Sequence, residues 1–376
     1  MQTLNLSPNM LTWAADQIGK SLESLVEGLA KREKDRALLL EGKLTTAQLE
    51  KFAKLTGVPF GLLFLDAPPT LQPPTIPDLR QTLHHAPLSR DFHEVHEDAV
   101  RKQAWYVEYL METGSQPLPF VGKFNASTRP DTVANDIAQS LGLSEHLRRS
   151  VTTPEAYFSL LAERAEDLGI LVMKTGIVKS NTRRPLSVAE FRGFAVIDKL
   201  APLVFINGRD VEVAAVFTLM HELAHVWTGQ SGVSDFGFGQ TGNKGIEWLC
   251  NQVAAELLVP KDEFLPVWNK DSDVATLAKQ FRVSRVVIAR RALDFGLMDV
   301  QAYAAVVAQS RVKSNNNERG GGNPYATIPV RNSKRLTTTI VRSALSGDML
   351  LRDAASLLHV KPDTVMELGR RGKSFD

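Results

Sequence analysis

Two histidines four residues apart, with a glutamate directly after the first, make up the most chemically loaded stretch of the chain, His221-Glu222-Leu-Ala-His225. It lies inside Phe217–Trp227, a run that reads as a helix. Positions i and i+4 of an α-helix share a face one turn apart, so both imidazoles can reach one metal ion. Glu222 follows the first histidine and can bear on a water beside the metal rather than on the metal itself. A hydrolytic zinc site with two such histidines needs a third protein ligand and one open position.

The flanking residues supply a setting for that helix. Asn207-Gly208-Arg209-Asp210 is turn chemistry, with Asp210 the expected N-cap and Glu212 in the first turn where the macrodipole favours it. Val213, Val216, Phe217, Met220 and Ala224 recur at helical spacing and form a buried stripe. Phe194–Asp198 and Leu203–Asn207 are short apolar, β-branched runs, read as adjacent strands leading into the helix. Either one is expected to hold an extended substrate by strand addition.

The third ligand is sought downstream, past a stretch of six glycines between Thr228 and Gly245 that is placed to border a cleft. The helix after it, Ile246–Val259, is stopped by Pro260 and starts with Glu247, whose carboxylate completes a His₂Glu set. Asn251 stands one turn further on, placed to hydrogen-bond a ligand histidine or the carboxylate. Glu256 is the rival ligand, followed by Asp235 and Glu263. A purely structural zinc site would want four Cys or His ligands, and these are absent. No Tyr, His or Arg is placed by spacing alone to serve as an oxyanion donor.

Elsewhere the chain is ordinary. It has 376 residues, 43% hydrophobic and 23% charged, enough for two or three domains. No apolar run approaches the roughly 20 residues of a membrane span, and the N-terminus lacks a signal-peptide design. The single cysteine, Cys250, reads as a packing residue and fits a reducing cytoplasm, the expected location. Net charge is +2, yet residues 280–376 carry 16 Lys/Arg against 8 Asp/Glu. Such a basic end suggests an acidic partner, nucleic acid among the candidates.

The expected fold class is α+β, mostly helical, in four segments. Residues 1–66 read as a small, all-helical module: a helix opened by Pro8, a second capped by Ser21, a turn at Glu41-Gly42, and a helix from Thr46 closed by Gly57. Lys31, Arg32, Lys34 and Arg36 cluster where a recognition helix would start, although the module holds 8 basic and 8 acidic side chains. Residues 67–125 hold a Pro-rich linker, with five prolines between 67 and 78, and a connecting helix. His84, His85, His93 and His96 flank that helix and read as a solvated face. Residues 126–310 hold the metal helix, helices over Asp131–Leu141 and from a Thr153 cap, and a strand at Gly169–Met173. They also include a helix-turn-helix-like segment at 275–298. Its Ala278–Arg291 pattern recurs at Ala355–Val365, within a basic helical region, 311–376. Arg282, Arg285, Arg290 and Arg291 make the first copy the better nucleic-acid candidate. Residues 314–324 read as an exposed hinge and the site of first proteolytic nicking.

Two resemblances follow from these strings. Phe217-Thr-Leu-Met-His-Glu-Leu-Ala-His225, followed by Glu247-x-x-Cys-Asn251-x-x-Ala-Ala-Glu-Leu-Leu-Val-Pro260, resembles the ImmA/IrrE metallopeptidase family over about residues 155–310. The Leu49-Glu-Lys-Phe-Ala-Lys-Leu-Thr-Gly-Val-Pro59 segment is similar to the end of the Xre/Cro-like helix-turn-helix motif. Together they resemble fused Xre–ImmA/IrrE proteins of prophages and toxin–antitoxin loci. The resemblance implies a zincin-like domain with zinc on His221, His225 and Glu247, and Glu222 as the catalytic residue. It also implies endopeptidase action on a specific protein partner, a DNA-binding repressor or an antitoxin, in a prophage, stress-response or toxin–antitoxin system. The alternative is a toxin or DNA-binding regulator whose metallopeptidase-like domain senses or docks. One departure is Asn251, where zinc peptidases with a Glu third ligand often carry Asp.

Overall fold

The computed structural model describes residues 3–16, 18, 20–58, 60–68, 88–234, 245–269, 273–312 and 323–372. The Pro-rich linker beyond residue 68, His84, His85, Asp235 and the hinge at 313–322 lie outside the described residues. The chain divides into two compact units, Met1–Thr75 and Ile76–Asp376, and its architecture is α+β and mostly helical. No described helix is long and apolar enough to cross a membrane.

In the first unit, helices α1 (Pro8–Asp16), α2 (Leu22–Leu29), α3 (Glu33–Leu40) and α4 (Thr46–Thr56) enclose a core built on Leu11, Leu39, Leu49 and Phe52. Ser21 caps α2, and Thr45 with Gln48 forms a capping box at α4, which ends at Gly57 in the left-handed region. The unit is not all-helical, because β1 (Thr3–Asn5) pairs antiparallel with β2 (Lys43–Thr45). Three-residue strands carry too little alternation to register in a sequence, and here a tertiary contact makes them. Gly42, at φ +83°, allows the pairing, since a Cβ there would lie 2.1 Å from the Leu6 carbonyl oxygen.

The second unit is built on a four-stranded sheet in the order β3 (Leu171–Thr175), β7 (Leu203–Asn207), β6 (Gly193–Val196), β8 (Gly232–Ser234), with the hairpin β4–β5 (Ile177–Val178, Asn181–Pro185) beside it. β3 runs parallel to β7, and β6 is antiparallel to both β7 and β8. Alternation sorts the strand side chains onto two covered faces. Val172, Val204 and Ile206 pack toward helices α6 (Pro130–Leu141), α8 (Pro154–Asp167), α9 (Glu212–Thr228) and α10 (Ile246–Leu258). Leu171, Met173, Leu203 and Phe205 face α5 (Arg90–Glu112) and the C-terminal helices α16 (Lys334–Ser346), α17 (Leu351–Leu358) and α18 (Pro362–Gly372). Both faces being covered, β7 is buried along its whole length.

Three expectations are corrected by this packing. Asp210 is not the cap of α9: Val211 holds that position, while Asp210 accepts from the Val211 N–H at 2.9 Å and from Arg192 at 2.8 Å. The strands proposed for substrate addition are both interior, since β7 lies between β3 and β6, and β6 between β7 and β8. Neither has a free edge, and among the described residues β8 is the outer strand beside β6. His96 is not on a solvated face but buried between Phe92 and Phe194, with ring centroids at 5.9 and 5.3 Å.

That last burial has a pH consequence. Desolvation, helped by the charge of His93, holds the His96 imidazole down to about 4 from an ordinary 6.5. The unfolded chain then binds this proton first as the pH falls. The stability of the neutral form is complete above pH 6.5 and is lost between 6.5 and about 4, by on the order of 3 kcal/mol. Urea melts at pH 7.5 and pH 5 span the upper part of that range and are expected to differ by about 2 kcal/mol more in the wild type than in His96→Leu.

Each of the two similar segments forms a pair of helices. Helices α12 (Val274–Phe281) and α13 (Arg285–Asp294) join through Arg282 at φ +58°, and α17 and α18 through His359 at φ +53°. Arg291 is withdrawn as a nucleic-acid contact: it is buried, paired with Glu256, and donates to the Val259 carbonyl at 3.0 Å. Arg290 is half-buried and paired with Asp294 at 2.9 Å, while Arg285 is exposed. In the first unit Arg32 and Lys34 are exposed, and Arg36 donates to the Ala30 carbonyl at 2.9 Å.

Candidate metal centre

Helix α9 is buried over nearly its whole surface, with β6 and β7 against one side and α8 and α10 against others. Its C-terminal carbonyls are satisfied by a segment that no local pattern marks. The Gly122 N–H donates to the Val226 carbonyl and the Phe124 N–H to that of Trp227, both at 3.0 Å. Gly122 and Gly229 make this crossing possible, since a Cβ on Gly229 would stand 2.9 Å from the Gly122 Cα. Phe120 stacks on Trp227 at 4.3 Å, and the Trp227 indole donates to Asp136 at 2.8 Å. The helix that carries the histidines is thus held at its far end.

The packing of α10 on α9 brings Glu247 to both histidines. His221 Nε2 and His225 Nε2 are 3.1 Å apart, and the Glu247 carboxylate oxygens lie 3.3 Å from the first and 3.0 Å from the second. The three ligand atoms fall within 4.8 Å of one another and all three residues are buried, a group able to hold a metal ion. Burial would raise the Glu247 carboxyl, but His221 and His225 outweigh it and bring it down to about 2. Desolvation lowers His221, keeping it a neutral, lone-pair-bearing imidazole.

Asn251 lies where a helix turn beyond Glu247 places it, with Oδ1 3.0 Å from His221 Nδ1. An amide oxygen only accepts, so Nδ1 carries the proton and Nε2 points its lone pair into the cluster. His225 Nδ1 is buried with no hydrogen bond among the described residues. The rival carboxylates are occupied elsewhere: Glu256 pairs with Arg291, and Glu263 with Arg148 at 2.8 Å. Cys250 is fully buried and stays outside the three-residue group; burial, then Glu247 and Glu222, pushes its thiol up, as befits an inert packing side chain.

Glu222 is fully buried beside this group. Burial first, then the Glu247 charge, raises its carboxyl well above the ordinary range. Gly193, on β6, makes room for it: a Cβ there would stand 2.9 Å from Glu222 Oε1 and 3.0 Å from the Phe205 carbonyl oxygen. A lone glycine in a strand signals close approach of something, but no sequence pattern says of what.

Residues 165–293 match the family model described as the IrrE N-terminal-like domain, and residues 332–371 match a domain of unknown function. No curated protein and no solved structure matches the chain. The first span contains His221, Glu222, His225 and Glu247 and the sheet that supports them. That span is similar to the IrrE N-terminal-like domain, whose ImmA/IrrE family is generally one of zinc metallopeptidases. The second span begins where α15 (Pro324–Asn332) gives way to α16, and its helices complete the far side of the same sheet.

Proposed function

We propose that the protein is a zinc-dependent endopeptidase, with the metal on His221, His225 and Glu247. The observation that carries this reading is the convergence of two Nε2 atoms and one carboxylate on a single buried point. Two imidazoles and a carboxylate suit zinc, and the absence of a fourth Cys or His from the group among the described residues fits an open hydrolytic site. A bound zinc ion supplies Lewis acidity, acidifying water and polarising a peptide carbonyl. Glu222 would take a proton from the attacking water and return it to the leaving amine. Its raised basicity in a buried setting suits both transfers. Asn251 keeps His221 in the ligating tautomer.

The substrate is a protein partner, of the repressor or antitoxin class that the family resemblance implies. Cutting, rather than docking or sensing, is favoured by the intact Glu222 beside the metal group, because a docking domain has no need of a buried base. Glu222→Gln keeps the shape and removes the base. It is expected to keep zinc at one equivalent per chain and lose cleavage by about 10²–10⁴-fold. Comparing new protein N-termini in cells that express the wild type or the variant gives the readout. Identical sets in both would sink the assignment.

A further inference from the structure

Glu222 has an unexplained neighbour. Both of its carboxylate oxygens are buried, and no hydrogen bond reaches either among the described residues. A carboxylate that must serve as a base is poorly tolerated in that setting unless a donor faces it. The strand register shows where a donor stands. Ser234 on β8 pairs directly with Gly193 on β6. Directly opposed residues of an antiparallel pair project from the same face of the sheet. The Gly193 Cβ direction points at Glu222, so Ser234 projects from the face on which that carboxylate lies. Ser234 is itself fully buried, and its hydroxyl also has no partner among the described residues. An orphaned donor and an orphaned acceptor therefore share the space that the missing side chain of Gly193 leaves open.

We infer that the Ser234 hydroxyl donates to Glu222 and holds its carboxylate toward the His221, His225 and Glu247 group. Ser234 is then a positioning residue, acting on the reaction only through Glu222. The inference rests on the reading of Glu222 as the base. A serine suits the place physically: it is small enough for a fully buried edge-strand position, and it brings one rotatable donor.

The first test uses the full chain freed of metal by a chelator, so that it needs neither zinc nor substrate. Melting temperatures are measured for the wild type, Ser234→Ala, Glu222→Leu and the double variant. Ser234→Ala is expected to lower the melting temperature by about 4 °C when Glu222 is present, and by under about 1 °C in the Glu222→Leu background. Equal losses in both backgrounds would overturn the contact. The second test compares Ser234→Thr with Ser234→Val, which have the same shape and differ only in the hydroxyl. With zinc restored, hydrolysis of a quenched-fluorescence peptide pool is expected to stay within about threefold for the threonine variant. It should fall about 10–100-fold for the valine variant, with zinc content unchanged in both. Equal activity in the two variants would reject a role for the hydroxyl. Cleavage surviving in Glu222→Gln would instead defeat the peptidase mechanism, while the metal-free cycle would still decide the contact.

Discussion

Replacing Glu247 by glutamine is expected to cut zinc affinity by well over the roughly 10–100-fold that loss of an outer-sphere partner costs. Among the described residues, it is the one member of the metal group contributed from outside α9. Without its charge, two imidazoles one helix turn apart are left as a bidentate site, and the neutral amide is a poor zinc ligand. Competition against a chromophoric chelator reads the affinity directly. A second readout is thermal: excess zinc should raise the melting temperature of the wild type, because only the folded chain assembles the site, and leave the variant nearly unmoved. Glutamine keeps the volume, so the apo protein should still fold. Wild-type affinity in Glu247→Gln would return the choice of third ligand to residues outside those described, Asp235 among them.

The second large effect is expected far from the metal, at Asp98. Its carboxylate accepts from Lys102 Nζ at 2.5 Å and Arg101 at 2.8 Å, and lies 2.7 Å from His359 Nε2. Lys102, itself buried, also donates to Asn332 at 2.7 Å, and Asn332 donates to the carbonyls of Ile328 and Leu358. This chain of contacts fastens α15 and the α17–α18 turn to α5. Breaking a buried ion pair from one side costs about 3–5 kcal/mol, because the remaining charge stays buried and unpaired. Asp98→Ala should therefore lower the melting temperature by roughly 10 °C. Amide exchange across 351–372 should accelerate more than exchange in α9. Pairing the change with Lys102→Met should recover much of the loss, since no buried charge is then stranded. The pH dependence has a definite sign. Burial opposes ionisation of Asp98, but His359 and Lys102 hold its carboxyl far below the usual range. Its contribution is present above about pH 4 and is lost as the pH falls through the acidic region below. Unchanged exchange in α17 and α18 would mean that apolar packing alone holds them.

The legibility of these features follows their range along the chain. His221, Glu222 and His225 are readable in sequence because helical spacing is local: any helix over Phe217–Trp227 puts both imidazoles on one face. The caps at Ser21 and Thr153 are readable for the same reason, and so are the short apolar strand runs before α9. Asp210 misleads because a good capping side chain also makes a good partner for a buried arginine, and Arg192 claims it. Arg291 misleads because a basic residue on an amphipathic helix reads alike whether it faces solvent or a glutamate 35 positions earlier.

The sequence by itself determined that this chain carries two metal-ready histidines and an acid on one helix, with a carboxylate at the start of the next. Tertiary structure decided the rest. The α9–α10 packing selected Glu247 over Glu256, and strand register set Gly193 and Ser234 against Glu222. A backbone crossing at Gly122 closed the end of the helix, and a carboxylate 261 positions away received His359. The physical reason is the same in each case. Hydrophobic periodicity specifies which face of an element is buried, but is blind to which polar groups the burial brings together. Those partners are chosen by the packing of separate elements, and desolvation then makes the choice matter.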